Sequence, residues 1–66
     1  MKVTVNGTPT PLPDGTTVGR LLDQLGLRRD GIAVAQNRRV VPRSQHDQAH
    51  LEDGDKIEII QAVGGG

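Results

Sequence analysis

Val18-Gly19-Arg20-Leu21-Leu22-Asp23-Gln24-Leu25 is the stretch on which the architecture turns. Val18, Leu21, Leu22 and Leu25 recur at i, i+3, i+4 and i+7, the spacing of one face of an α-helix. Thr17, or Thr16 beside it, offers the hydroxyl of an N-cap. Gly26 suits the left-handed residue after a last turn, with Leu27 folding back on Leu22 as in a Schellman ending. Gly19 inside the helix costs about 1 kcal/mol against Ala, so this helix needs a surface to pack on.

The flanks supply that surface as strands. Lys2-Val3-Thr4-Val5-Asn6 alternates, with Val3 and Val5 directed inward. Asn6-Gly7 is a hairpin signal, because both central residues of a type I′ turn need positive φ. Thr8–Leu12 returns as a second strand; Pro9, Pro11 and Pro13 make it irregular or place it at an edge. After the helix come a loop at Arg28–Gly31, a third strand at Ile32–Gln36 and a turn at Asn37-Arg38-Arg39. Val40-Val41 is a short fourth strand ended by Pro42. Ser44-Gln45-His46-Asp47 resembles a capping box with Asp in place of Glu and predicts one helical turn. Asp53-Gly54-Asp55 turns into the longest strand, Lys56–Val63. One helix with one apolar stripe, packed on a mixed sheet of four or five strands, is a two-layer α+β domain. With the first and last strands adjacent at its centre it is a β-grasp arrangement, spanning residues 1–63, with 64–66 as a flexible C-terminal tail.

Composition narrows the chemistry. The chain has 66 residues, enough for one small domain, and no cysteine, so disulfides, thiolate metal sites and a cysteine nucleophile are excluded. It has no aromatic residue for base stacking, and its eight basic residues balance eight acidic ones. That leaves no electrostatic case for nucleic acid or an anionic membrane. No apolar run approaches a membrane span and Met1 leads directly into a strand, so a cytoplasmic location is expected.

The remaining feature is Gly64-Gly65-Gly66. Three glycines bury nothing and lose the most entropy on ordering, so a mobile tail is expected. A partner can grip such a tail in a narrow channel through its main chain. The carboxylate of Gly66, ionised at neutral pH with a reference pKa of about 3.3–3.7, is a nucleophile toward the α-phosphate of ATP. Adenylation gives a mixed anhydride, from which a sulfur donor displaces AMP and leaves a thiocarboxylate.

Gln36-Asn37-Arg38-Arg39-Val40-Val41-Pro42-Arg43 resembles the N-x-x-x-V-P-R segment of the ThiS family, the ubiquitin-like sulfur carriers of thiamin biosynthesis. The length, Gly15-Thr16-Thr17-Val18, Leu21-Leu22, Asp53-Gly54-Asp55 and the terminal Gly65-Gly66 carry the same resemblance. It implies a carrier that is itself no enzyme, binds no cofactor and is monomeric alone. Gly66 would be adenylated by a ThiF-type enzyme at the expense of ATP, with Gly64 and Gly65 read by the channel. Sulfur would come from a cysteine desulfurase and pass to thiazole synthase, ThiG. Gln36 departs from the pattern by standing where an apolar strand residue is expected.

Other residues carry paired readings. Ile57 and Ile59 should face the helix, and Ile60 then breaks the alternation. It is either an exposed contact for a partner, with Ala62 on the same face, or a β-bulge that turns inward. Arg38, Arg39 and Arg43 form a basic cluster that steers an acidic partner, or simply a solvated turn. His46 and His50, spaced i and i+4, are read as two solvent-facing histidines rather than metal ligands. Three further functional readings stay open. They are the small subunit of molybdopterin synthase or a tRNA-thiolation carrier with the same tail chemistry, a protein-modifying tag, and a β-grasp interaction module with an inert tail.

Overall fold

A computed structural model describes residues 1–61. The first reversal is at Asn6-Gly7, with φ of 50° and 83°, and it joins β1 (Lys2–Val5) to β2 (Thr8–Pro11) in unbroken antiparallel register. Thr4 N–H donates to Asp55 O on the opposite side of β1, so Val3 and Val5 are the residues that bond to β2. Their partners are Thr10 and Thr8, which leaves Pro9 and Pro11 with their missing donors on the outer border. β2 is accordingly an edge strand, and a regular one.

The helix α1 covers Val18–Gln24. Thr17 is its N-cap and accepts from Arg20 N–H at 3.2 Å, whereas Thr16 donates to Pro13 O at 2.7 Å. The two preceding helical N–H groups are satisfied by the 43–51 segment: Val18 donates to Ala49 O at 2.9 Å and Gly19 to His46 O at 2.8 Å. At the other end Gly26, φ 72°, donates to Asp23 O and Leu27 to Leu22 O, the paired bonds of a Schellman ending. Leu25 is the C-cap and is 44% exposed, so the apolar stripe stops at Leu22 and Leu27 takes over the packing.

Gly19 has a different reason from the one its propensity suggests. Arg29 makes a two-pronged ion pair with Asp47, at 2.9 and 2.8 Å, directly over it. A Cβ at Gly19 would meet the Asp47 carboxylate and lie 2.7 Å from the guanidinium. The helix therefore accepts a poor helix former in order to let the 43–51 segment approach. The mutual hydrogen bond raises the Arg29 pKa and lowers that of Asp47.

β3 (Ile32–Gln36), β4 (Arg39–Val41) and β5 (Lys56–Gln61) complete a five-stranded mixed sheet in the order β2-β1-β5-β3-β4. β1 and β5 run parallel at its centre, which is the β-grasp arrangement. Ala62 and Val63, expected in the last strand, and the Gly64–Gly66 tail lie outside the described residues. Val3, Leu12, Val34, Val41, Leu51, Ile57 and Ile59 meet Val18, Leu21 and Leu22 in one core.

The β3–β4 turn is two residues long rather than three. Asn37 and Arg38 have φ of 52° and 69°, and Gln36 pairs with Arg39. Asn37 suits this conformation and is also tied to β5, donating from its N–H to Lys56 O and accepting from Lys56 N–H. Arg38 has no such compensation, and a left-handed residue with a Cβ costs roughly 1–2 kcal/mol. Arg38→Gly is expected to stabilise the fold by about 0.5–1 kcal/mol once the entropy of glycine is counted. Urea unfolding followed by far-UV circular dichroism checks this; an unchanged or lower midpoint refutes it.

The helical turn after Pro42 is a 3₁₀ turn over Arg43–Gln45 with no side-chain cap, so Ser44 does not open a capping box. His46 follows and is 1% exposed, contrary to the solvent-facing expectation. Its Nε2 lies 3.1 Å from Val41 O, and it fills the space between β4 and the helix start. His50 is exposed and forms a bridge with Thr17, so the two rings do not share a face. Among the described residues no helix is long and apolar enough to cross a membrane.

Candidate functional site: the last strand and the surface beside it

β5 is held on both sides. Along β3, Ile57 to Gln61 lie opposite Gln36 to Ile32. Along β1 the parallel register includes Val5 opposite Ile57. Its root is fastened by Asp55, 7% exposed, whose carboxylate accepts from Gln36 Nε2 at 2.7 Å, Asn37 Nδ2 at 2.9 Å and Glu52 N–H at 2.8 Å. Burial opposes ionisation there, but the three hydrogen bonds outweigh it and hold the Asp55 carboxyl below the usual carboxylate range. Gln36, anomalous for a strand, is thereby explained: its amide also donates to His50 O at 3.1 Å.

Ile57 and Ile59 are buried, as expected. Ile60 does not break the alternation; it continues it outward. The unbroken register excludes the bulge, and Ile60 is 65% exposed opposite Ala33. Ala35 shares that outer face and sits opposite Val40, which is 74% exposed. Ile60, Ala33, Ala35 and Val40 thus make an apolar strip across three strands at the tail end of β5 and outward from it. Val40 was hidden in the sequence because a three-residue turn gives it the wrong parity. Ala62, the expected companion of Ile60, lies outside the described residues.

The three arginines are not one cluster. Arg38 is at the tip of the β3–β4 turn with Arg39 next to it, at the end of the sheet where β5 begins. Four residues of β5 separate that end from Gln61, about 13 Å at strand rise. Arg43 lies past the far end of β4 and is paired with Asp30 at 2.7 Å.

The ThiS family model matches residues 3–66. The sulfur carrier protein ThiS of Escherichia coli strain K12 is 39% identical over 66 residues, with both chains covered in full. A thiazole synthase of Paramagnetospirillum magneticum is also 39% identical over 66 residues; the chain spans only 20% of that protein's length. Among solved structures, the crystal structure of the thiamine biosynthesis protein ThiS from Geobacter metallireducens is similar with a TM-score of 0.84 and 32% identity, each chain covered in full. A central parallel β1–β5 pair carrying the last strand toward a glycine terminus, and a family match over nearly the whole length, have one reading: the chain belongs to the ThiS family.

Proposed function

We propose that this protein carries sulfur for thiamin biosynthesis as a C-terminal thiocarboxylate on Gly66. The observation that supports this best is the placement of the glycines. β5 is the central strand, and only Ala62 and Val63 separate Gln61 from Gly64. A rigid body thus ends in a terminus with no side chain to obstruct a narrow channel.

The chemistry belongs to the partners, and the chain is the substrate. A Gly66 carboxylate oxygen attacks the α-phosphorus of ATP, and pyrophosphate leaves. A sulfide nucleophile then adds to the acyl carbon and AMP leaves, so one oxygen is exchanged for one sulfur. A ThiF-type enzyme performs the first step, a cysteine desulfurase supplies sulfur as a persulfide that a thiol reductant brings to the sulfide level, and thiazole synthase is the acceptor. The similarity to one segment of a thiazole synthase supports that last assignment. The cytoplasm, where these steps occur, is the proposed location. Gly64 and Gly65 are the residues the channel reads, within a tail of residues 64–66 on a domain of 1–63.

The apolar strip of Ile60, Ala33, Ala35 and Val40 is the proposed docking face; Ala62, outside the described residues, is proposed as a further contact for the same partner. Arg38 and Arg39 lie beyond its far side, where they steer an acidic rim; Arg43 is engaged with Asp30 and contributes less.

The test is intact mass. Incubation with ATP, a ThiF-type enzyme and sulfide should add the mass of one oxygen-to-sulfur exchange at the C-terminus. No gain with a competent activating enzyme overturns the reading. Ile60→Asp, placed on an exposed position, should leave the fold intact and raise the KM for the carrier about tenfold, the effect of losing one central apolar contact. An unchanged KM removes the strip from the interface.

A further inference from the structure

β1 is too short to accompany β5 to its end. It stops at Val5, and the parallel register stops with Val5 opposite Ile57. β5 continues to Gln61, paired on the β3 side throughout. On the β1 side the chain has already turned away through Asn6-Gly7. A side chain stands where the next strand residue would be. Asn6 N–H donates to Ile57 O at 2.8 Å. Its Oδ1 accepts from Ile59 N–H at 2.8 Å, and its Nδ2 donates to Ile59 O at 3.1 Å. The carboxamide offers the same acceptor and donor as a peptide unit, so it copies one step of a β-ladder.

The turn alone does not call for this side chain. A φ of 50° is open to glycine without strain, and Gly-Gly serves type I′ turns as well as Asn-Gly. Nor does the core require it, because the amide reaches only backbone, 53 positions away in the sequence. Beyond Asn6 lies an open notch lined by Val5, Asn6, Leu25, Leu27, Ile59 and Gln61. Without the amide, that notch would leave the β1 flank of β5 unsupported beyond Ile57.

We propose that Asn6 is a positioning residue for the tail. By carrying the β1 side of the ladder from Ile57 to Ile59, it holds the end of β5, up to Gln61, from which the tail follows in sequence. The role rests on the sulfur-carrier reading and deepens it. An activating enzyme must hold body and terminus together, and a frayed root adds an ordering cost on binding. That cost is present in both the bound ground state and the transition state, so it raises KM and leaves kcat unchanged.

The experiment uses the full chain as Asn6→Gly, Asn6→Asp and a core control, Leu51→Val. Asn6→Gly keeps the turn and removes the amide. Its Ile59 amide should exchange with solvent about tenfold faster than in the parent, relative to the amides of α1, the equivalent of one lost hydrogen bond. The KM for adenylation by a ThiF-type enzyme should rise about five- to tenfold at constant kcat. Asn6→Asp keeps the acceptor for Ile59 N–H but sets its second oxygen against Ile59 O, where Nδ2 donated, so it should fall short of the parent in both readouts. Leu51→Val lowers stability through the core and should leave KM unmoved. Unchanged Ile59 exchange in Asn6→Gly, an unchanged KM, an aspartate variant equal to the parent, or an equal KM rise in Leu51→Val would each overturn the role. If the parent chain is not adenylated at all, the carrier reading fails, and the exchange measurement still decides whether Asn6 holds the strand end.

Discussion

A chain ending at Gly65 gains no sulfur under conditions that convert the parent protein, while its thermal unfolding curve is unchanged. The first half follows from reach. One extended residue spans about 3.3–3.6 Å, and a nucleophile attacks from about 3–3.5 Å, so a carboxylate retracted by one residue stands a full contact distance short. Misplacement by 1 Å can cost about 100-fold, so a loss of at least that size is expected in adenylation. The second half follows from where the core lies. Among the described residues the ten buried core residues run from Val3 to Ile59, and a terminal glycine has no side chain to add to them. Intact mass and pyrophosphate release read the chemistry; far-UV circular dichroism reads the fold, since the chain has no Trp or Tyr to report it. Conversion of the truncated chain at the parent rate would show that the reacting carboxyl is elsewhere.

Asp55→Ala should destabilise the fold by about 3 kcal/mol or more. It removes three acceptor contacts at once and leaves Gln36 Nε2, Asn37 Nδ2 and Glu52 N–H competing for solvent in a poorly accessible corner. A core of this size supplies only about 3–5 kcal/mol net, so the variant should be largely unfolded near 37 °C. The same carboxylate gives a pH signature. Its folded pKa lies below the unfolded value of about 3.9. Its contribution is therefore complete above that value and is lost as pH falls through the folded pKa. The parent melting temperature should drop on acidification below about pH 4. Asp55→Asn should show a lower melting temperature at neutral pH and a flatter acid limb, because one of its amide protons faces a donor. Parallel acid limbs in the two proteins would remove Asp55 as the cause.

Much of this was legible in the letters. The stripe from Val18 to Leu22, the Asn6-Gly7 reversal, and Gly26 with Leu27 are local signals, and each produced its element. The misreadings share a different origin. Leu25 fits the helical period but is the C-cap, and the chain turns away at Gly26 directly after it, which leaves its side chain 44% exposed. His46 sits in a segment without periodicity, and only its meeting with Val41 O buries it. Gln36 looks wrong for a strand until the 50–55 loop arrives with its partners. Gly19 looks like a cost until Arg29 and Asp47 close over it. For His46, Gln36 and Gly19 the deciding partner lies more than four residues away in sequence, beyond what spacing can report. The candidate site divides in the same way. Ile60 was visible as an apolar residue out of place, whereas Val40 needed the length of the Asn37-Arg38 turn, and Asn6 needed Ile59 beside it.

The prolines of β2 bear on behaviour at high concentration. A fibril grows only if every molecule can accept a neighbour on two opposite rims. Here Pro9 and Pro11 strip the donors from one rim. Joining through β4 can thus produce a couple, but no third molecule can be added to it by hydrogen-bonded stacking. Folded molecules therefore stop at pairs when they join edge to edge, whatever their concentration.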